Sequence, residues 1–78
     1  MNKMVNVGYW DCVNVAEILA IINPNTKPAR RAIKDAKENK LFIDLTEGKK
    51  TCSVIIMKSG QIVISANKPE TLVSRING

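Results

Sequence analysis

The sequence predicts an α+β domain in which a mainly antiparallel sheet carries two helices, with the element order β-β-α-β-β-β-α. Two observations favour this class. Two β-branched segments, 51–57 and 61–66, flank Lys58-Ser59-Gly60, which is typical of a β-hairpin. Two helix starts each carry a proline in the first turn. Because 78 residues are too few for two independent cores, we expect a single domain over residues 1–78.

Three strands outside the hairpin are predicted from local patterns. Met4–Val7 has a period of two and predicts a short strand that ends before the first glycine. Residues 13–22 fit a helix about as well as a strand, but their β-branched content and the following Asn23-Pro24-Asn25 favour a second strand. After the first helix, Leu41–Leu45 predicts a third strand.

The first helix is predicted from its cap and its two faces. Thr26 supplies a hydroxyl N-cap and Pro28 fits the first turn, so we expect a helix that runs to about Asn39. One face carries the small or apolar residues Ala29, Ala32, Ile33 and Ala36. The opposite face carries the basic residues Lys27, Arg30, Arg31, Lys34 and Lys37.

The hairpin and the second helix complete the fold. Because Val54–Met57 is apolar on both faces of a strand, we expect this strand to be central or covered on both sides. The last helix is predicted from Lys68 to about Ile76. Asn67 would cap it, with Glu70 three residues later completing a capping box.

Composition and charge narrow the classes of function. Twelve basic residues against seven acidic ones give a net charge of +5, which favours a polyanionic partner. The absence of histidine excludes the commonest general base and any Ser/His or Cys/His nucleophile. Cys12 and Cys52 are too far apart for a metal motif and are expected to be buried. We therefore expect a cytoplasmic protein that is not an enzyme and uses no cofactor.

Two basic segments are the candidate contacts for a polyanion. The basic face of the first helix could follow a phosphate backbone, although such a stripe is also typical of a solvated helix face. Of its five basic residues, we select Arg30, Arg31 and Lys34 as the candidate contacts. Lys49 and Lys50 follow Gly48, which lets the chain turn sharply and present two ammonium groups together. An ordinary polar turn is the alternative interpretation of this second segment.

The aromatic residues point to a contact surface. Tyr9 and Trp10 lie together between the first two predicted strands, in a chain with only three aromatic residues. Such a pair is typical of a subunit interface, and the small size of the chain also favours self-association. Packing in the protein's own core and stacking on nucleic-acid bases are the alternatives.

Four motifs occur in order along the chain. They are Asn6-Val7-Gly8-Tyr9, Asn23-Pro24 with Pro28-x-Arg30-Arg31, Ile43-Asp44-x-Thr46-x-Gly48-Lys49-Lys50-Thr51, and Val63-Ile64-Ser65-Ala66 with Pro69-Glu70-Thr71. Together they resemble the RemA family of small bacterial regulators of extracellular-matrix genes. The similarity covers Met4 to about Ile76 without an evident gap.

This resemblance implies a DNA-binding transcriptional regulator that forms a ring-like homo-oligomer on duplex DNA. The apolar runs of the chain are too short to span a bilayer, and we expect neither a membrane nor a small-molecule partner. The family's Arg-Arg-Thr segment, implicated in DNA contact, is matched by Lys49-Lys50-Thr51, and its basic pair on the first helix by Arg30-Arg31. Because lysine lacks the bidentate fork of arginine, we expect contacts with phosphates rather than with bases.

Four positions depart from the family pattern, and the first is Ala16, which stands where the family typically has an asparagine. Glu17 and Cys52 stand where the family typically has arginine, and Glu47 stands where it has a tyrosine. The two acidic residues motivate an alternative function, in which the chain forms a ring as a structural or interaction protein without binding nucleic acid.

Overall fold

A computed structural model describes residues 3–9 and 11–78. The described residues form six strands and two α-helices, which confirms the α+β class and the predicted order of elements. The elements are β1 Met4–Gly8, β2 Asp11–Asn14, β3 Ile18–Ile22, α1 Lys27–Glu38, β4 Phe42–Asp44, β5 Ser53–Met57, β6 Ile62–Ser65 and α2 Pro69–Asn77.

The second predicted strand is divided in two by a short 3-10 turn at Val15–Glu17. The side chain of Asn14 accepts a hydrogen bond of 3.0 Å from the Ala16 N–H, which starts the turn. The chain thereby passes from one sheet to another, because β2 pairs with β1 whereas β3 pairs with β5. The apolar content of residues 13–22 does not reveal this division, since β-branched residues occur on both sides of it.

The larger sheet has the strand order β3-β5-β6-β4, with β5 in the interior as its apolar faces predicted. Its pairs are antiparallel except for β4 and β6, which run parallel. Four chain segments therefore meet at one end of this sheet, which we call the carboxyl end. It is defined by the last residues of β3, β4 and β6 (Ile22, Asp44 and Ser65) and the first residue of β5, Ser53.

The core lies on both faces of the larger sheet. On one face, Ile55 packs with Val7 of β1 and Leu72 of α2, and all three side chains are fully buried. On the other face, Ala29 and Ala36 of α1 pack with Val54. Because alanine has no bulk beyond Cβ, α1 can lie close against the sheet, as the pattern of its apolar face predicted.

The two helix caps differ from each other. The Thr26 hydroxyl accepts a hydrogen bond of 3.3 Å from the Ala29 N–H, so the predicted cap of α1 is confirmed. The predicted capping box at Asn67 is wrong, because Lys68 is the N-cap of α2 and makes no side-chain cap hydrogen bond. Asn67 instead ties the sheet to the helix, since its N–H donates to Ser65 Oγ and its carbonyl accepts from Ser53 Oγ.

The predicted burial of both cysteines is wrong. Cys12 is exposed and Cys52 is half-buried. Cys12 alternates along β2 with Val13, which faces the core, and successive residues of a strand point to opposite faces. Neither helix among the described residues has the length and hydropathy needed to cross a bilayer.

Candidate nucleic-acid interface

The loop that carries Lys49 and Lys50 is fastened at its base to the end of β6. The Leu45 N–H donates to the Ile64 carbonyl at 3.0 Å, and the Cys52 N–H donates to the Ser65 carbonyl at 2.8 Å. Both acceptors are consecutive residues of β6. Residues 46–51 therefore project from the carboxyl end as a closed loop, which we call the basic loop.

A tight turn forms the tip of the basic loop. The Lys49 N–H donates to the Thr46 carbonyl at 3.0 Å, and the two residues between them have positive φ angles, 54° at Glu47 and 79° at Gly48. This combination is typical of a type I′ turn. Gly48 adopts it without strain, as the sequence predicted, whereas Glu47 has a side chain that disfavours it. Lys49 and Lys50 are both exposed beyond the turn.

A single carboxylate oxygen, Oδ1 of Asp44, holds the first residue of this turn. Asp44 Oδ1 accepts the Thr46 N–H at 2.9 Å and the Thr46 hydroxyl at 2.7 Å. Thr46 is only 3% exposed, although the residues that follow it are exposed. The hydrogen bond from the Thr46 hydroxyl, the one from its N–H and the positive charge of Lys37 lower the pKa of Asp44 below its ordinary value. Asp44 is therefore ionised at neutral pH.

The basic face of α1 is exposed, as predicted. Arg30, Arg31 and Lys34 all lie on the side of the helix away from the alanine face. Lys37 is positioned differently, because its ammonium group lies 5.0 Å from the centre of the Phe42 ring in a cation–π contact. The three residues named in the prediction are thus exposed, together with the acidic Asp35.

The fold brings the basic loop and the start of α1 to the same end of the sheet. The loop follows the end of β4, and α1 begins at Lys27, a few residues after the end of β3. At a rise of about 1.5 Å per residue, Arg30 and Arg31 lie roughly one turn from the start of the helix and Lys34 roughly two turns. Arg30 and Arg31 are therefore closer to the carboxyl end than Lys34.

Two further lysines lie at the carboxyl end, one from the predicted basic face of α1 and one that the sequence analysis did not consider as a contact. Lys27 is the first residue of α1 and Lys68 is the N-cap of α2, and both are exposed. Each directly precedes a proline in the first turn of its helix. That shared Lys-Pro step is visible in the sequence, but its relation to the loop depends on strand pairing. The parallel pairing of β4 with β6 brings the starts of the loop and of α2 to one end of the sheet, and the pairing of β3 with β5 brings the start of α1 to that end too.

The two acidic residues that depart from the family pattern have different positions. Glu17 precedes β3, whose first residue pairs with Met57 at the opposite end of the sheet, and its carbonyl accepts the Lys58 N–H at 2.7 Å. Glu17 thus lies far from the basic loop. Glu47 lies within the tip of the loop, two residues before Lys49, so it is the acid that lowers the local charge.

Of the two aromatic residues predicted at an interface, the structure describes only Tyr9. Tyr9 is 48% exposed and has a φ angle of 48°, so it is not part of the core. Trp10 lies outside the described residues. The turn that contains Tyr9 nevertheless approaches the carboxyl end, because a Cβ on Gly8 would lie 3.3 Å from Asn67 Nδ2 and 3.8 Å from the Leu45 carbonyl. The interface role of both aromatic residues stays a prediction.

Fold and site together define a small α+β domain that presents exposed lysines at one end of a mixed sheet. The family model described as "RemA-like: Extracellular matrix regulatory protein A-like" matches residues 4–76. The chain therefore belongs to the RemA-like family, as its motifs indicated.

Curated relatives cover almost the whole chain. A protein of Lachnoclostridium phytofermentans is 40% identical over 77 residues, which are 99% of this chain and 85% of the relative. A protein of Geobacillus kaustophilus is 40% identical over 78 residues, which are 100% of this chain and 90% of the relative. One of Dictyoglomus thermophilum is 45% identical over 76 residues, which are 97% and 89%. Each carries only the general description of a regulatory protein, so the family points to a regulatory rather than a catalytic role.

Proposed function

We propose that this protein is an oligomeric, cytoplasmic, DNA-binding transcriptional regulator, similar in role to regulators of extracellular-matrix and biofilm genes. The observation that carries the proposal is the basic loop. It is fastened at both ends to β6, turns tightly at Gly48, and displays the exposed Lys49 and Lys50 at the end of the sheet where the helix begun by Lys27 and the helix preceded by Lys68 also start. A pair of exposed ammonium groups on an anchored loop is suited to contact with a phosphate backbone.

The contacts are with phosphates, and they position the protein without reading sequence. Lys49 and Lys50 act as point charges, because an ammonium group cannot form the bidentate contact that arginine makes with a guanine edge. Thr51, which is half-buried at the base of the loop, adds a hydroxyl donor. Arg30 and Arg31 extend the contact surface along α1, and Lys34 lies at its far edge.

Assembly supplies the affinity that one subunit lacks. With about two phosphates contacted per subunit, several subunits binding one duplex gain from effective concentration rather than from new contacts. Both outer strands of the larger sheet support self-association, since Leu19 on β3 is 66% exposed and Ile43 on β4 is 38% exposed. Because these two edges differ, pairing one with the other is a head-to-tail contact, the kind of contact from which a ring is built when the rotation between subunits closes.

Charge reversal at the loop tests the proposal. The variant Lys49→Glu/Lys50→Glu should lose binding to random-sequence duplex DNA at low salt, measured by fluorescence anisotropy, because the loop then repels phosphates. Its mass by light scattering should equal that of the wild type. Lys40→Glu/Lys58→Glu is the matched control, since it makes the same change in net charge with exposed residues away from the carboxyl end. Equal loss in both variants would show that only total charge matters.

A structural or interaction protein that forms a ring without nucleic acid is the second candidate. Glu47 favours it, because one carboxylate at the tip cancels half of the charge of Lys49 and Lys50. The two functions differ in salt dependence, since counterion release makes DNA affinity fall as salt rises. A wild-type oligomer that binds no duplex DNA at low salt would support the second candidate.

A further inference from the structure

The tip of the basic loop depends on a side chain that carries a negative charge. We propose that Asp44 and Thr46 are positioning residues for the basic loop. By accepting both donors of Thr46, the Asp44 carboxylate fixes the turn that displays Lys49 and Lys50, and so it strengthens binding to a polyanion. This inference rests on the proposed function, because it concerns how the same loop binds DNA.

A continuous series of hydrogen bonds links the carboxylate to the first lysine. Asp44 Oδ1 accepts the N–H and the hydroxyl of Thr46, at 2.9 and 2.7 Å. The carbonyl of Thr46 then accepts the N–H of Lys49 at 3.0 Å. The buried position of Thr46, 3% exposed, holds this series between the sheet and the exposed tip.

The loop needs this support because its tip is intrinsically unfavourable. Glu47 is held at a φ of 54°, a conformation that residues with a side chain rarely adopt. Without the bonds from Asp44, residues 46–51 would keep the anchors at Leu45 and Cys52, the turn bond from Lys49 and the long contact from Cys52 Sγ to the Lys50 carbonyl, but the hydrogen bonds that tie Thr46 to β4 would be lost. A loop that is mobile before binding must lose that freedom on the DNA, which weakens the affinity.

Because Asp44 is negatively charged, a purely electrostatic role and a positioning role predict opposite changes in DNA affinity when it is removed. Removing a carboxylate near Lys49 and Lys50 should tighten DNA binding if Asp44 acts only through its charge. Removing it should weaken binding if its role is to position the turn. The residue that opposes the Asp44 charge in the fold is Lys37 of α1, whose ammonium group is also engaged with Phe42.

Two pairs of variants test the positioning role. Asp44→Ala removes the acceptor, whereas Asp44→Asn keeps an Oδ1 that can accept both donors of Thr46. We expect Asp44→Ala to bind random duplex DNA roughly tenfold more weakly than the wild type, since ordering even one or two loop residues costs that much affinity. Asp44→Asn should bind at least as tightly as the wild type, which a general loss of structure would not produce.

The second pair leaves the charge of Asp44 unchanged. Thr46→Val keeps the shape of the side chain but removes the hydroxyl donor, and Thr46→Ser restores it. We expect weaker binding for Thr46→Val and recovery for Thr46→Ser, together with faster hydrogen exchange at the Lys49 amide in Asp44→Ala and Thr46→Val. If Asp44→Ala does not fold, this second pair still tests whether the Asp44–Thr46 hydrogen bonds position the loop.

The possible outcomes separate this inference from the proposed function. If the wild type binds DNA and Asp44→Ala and Thr46→Val bind as tightly or more tightly, the positioning role is overturned while the proposed function stands. If the wild type does not bind DNA at any salt concentration, both are overturned. Weak binding by Asp44→Ala and Thr46→Val with recovery in Asp44→Asn and Thr46→Ser supports the positioning role.

Discussion

Glu47 at the tip of the basic loop has two separable effects, a strained backbone and an unfavourable charge. Its φ angle of 54° lies in the left-handed region, which costs a residue with a side chain about 1–2 kcal/mol and which asparagine tolerates better. The variant Glu47→Asn should therefore raise the free energy of unfolding by up to about 1 kcal/mol. Glu47→Gln keeps the strain and should leave the stability nearly unchanged.

The same two variants should affect DNA binding equally. Each removes one carboxylate and raises the net charge of Glu47, Lys49 and Lys50 from +1 to +2. At a separation of about 8 Å from a phosphate in water, one charge changes the affinity roughly two- to threefold per engaged subunit. We expect this gain to multiply over the subunits that bind one duplex.

Thermal unfolding and fluorescence anisotropy at matched protein concentration measure the two effects. A gain of about 1 kcal/mol corresponds to a rise of roughly 4–8 °C in the midpoint for a domain of this size. If Glu47→Gln stabilises the protein as much as Glu47→Asn does, the explanation from backbone strain is wrong. If neither variant binds DNA more tightly, the Glu47 carboxylate does not face the phosphates.

Three further predictions concern the fold. Lys40 has a φ of 59° just after α1, where the Leu41 N–H donates to the Ala36 carbonyl. Because glycine adopts this conformation without strain, Lys40→Gly should stabilise the protein by about 0.5–1 kcal/mol in thermal unfolding, whereas Lys40→Ala should not. Ala29 is fully buried where α1 packs on the sheet, so Ala29→Leu should lower the free energy of unfolding by about 1–3 kcal/mol in urea. An unchanged urea midpoint would contradict the close packing of α1. Because the fold lowers the pKa of Asp44, its carboxylate should stabilise the wild type over Asp44→Asn at neutral pH. This advantage should disappear as the pH falls from the ordinary pKa of 3.8 through the lowered pKa.

Much of the fold could be predicted because its signals are local. The hydroxyl of Thr26, the alanine face of α1 and the Lys58-Ser59-Gly60 turn each fix an element within a few residues. The division of residues 13–22 could not be predicted in the same way. It depends on one Asn14 hydrogen bond and on a change of sheet, and β-branched residues suit both strands equally.

The candidate site was predictable only in part, for a related reason. Gly48 followed by two lysines indicates an exposed basic turn from sequence alone, and the structure has such a turn. The positions of Lys27, Lys68 and Glu17 relative to that turn depend on which strands pair. Parallel pairing of β4 with β6 is a long-range contact, and no short motif specifies it.

The salt dependence of duplex DNA binding tests the proposed mechanism most directly. With the mass of the oligomer measured in the same buffer, log K should fall linearly with log salt, with a slope of about 0.9 for each phosphate contacted and about two contacts per engaged subunit. Lys49→Glu/Lys50→Glu should abolish this dependence, whereas Lys40→Glu/Lys58→Glu should retain most of the slope. A wild-type affinity that does not change with salt, or a slope that survives reversal of Lys49 and Lys50, would contradict phosphate binding by the basic loop.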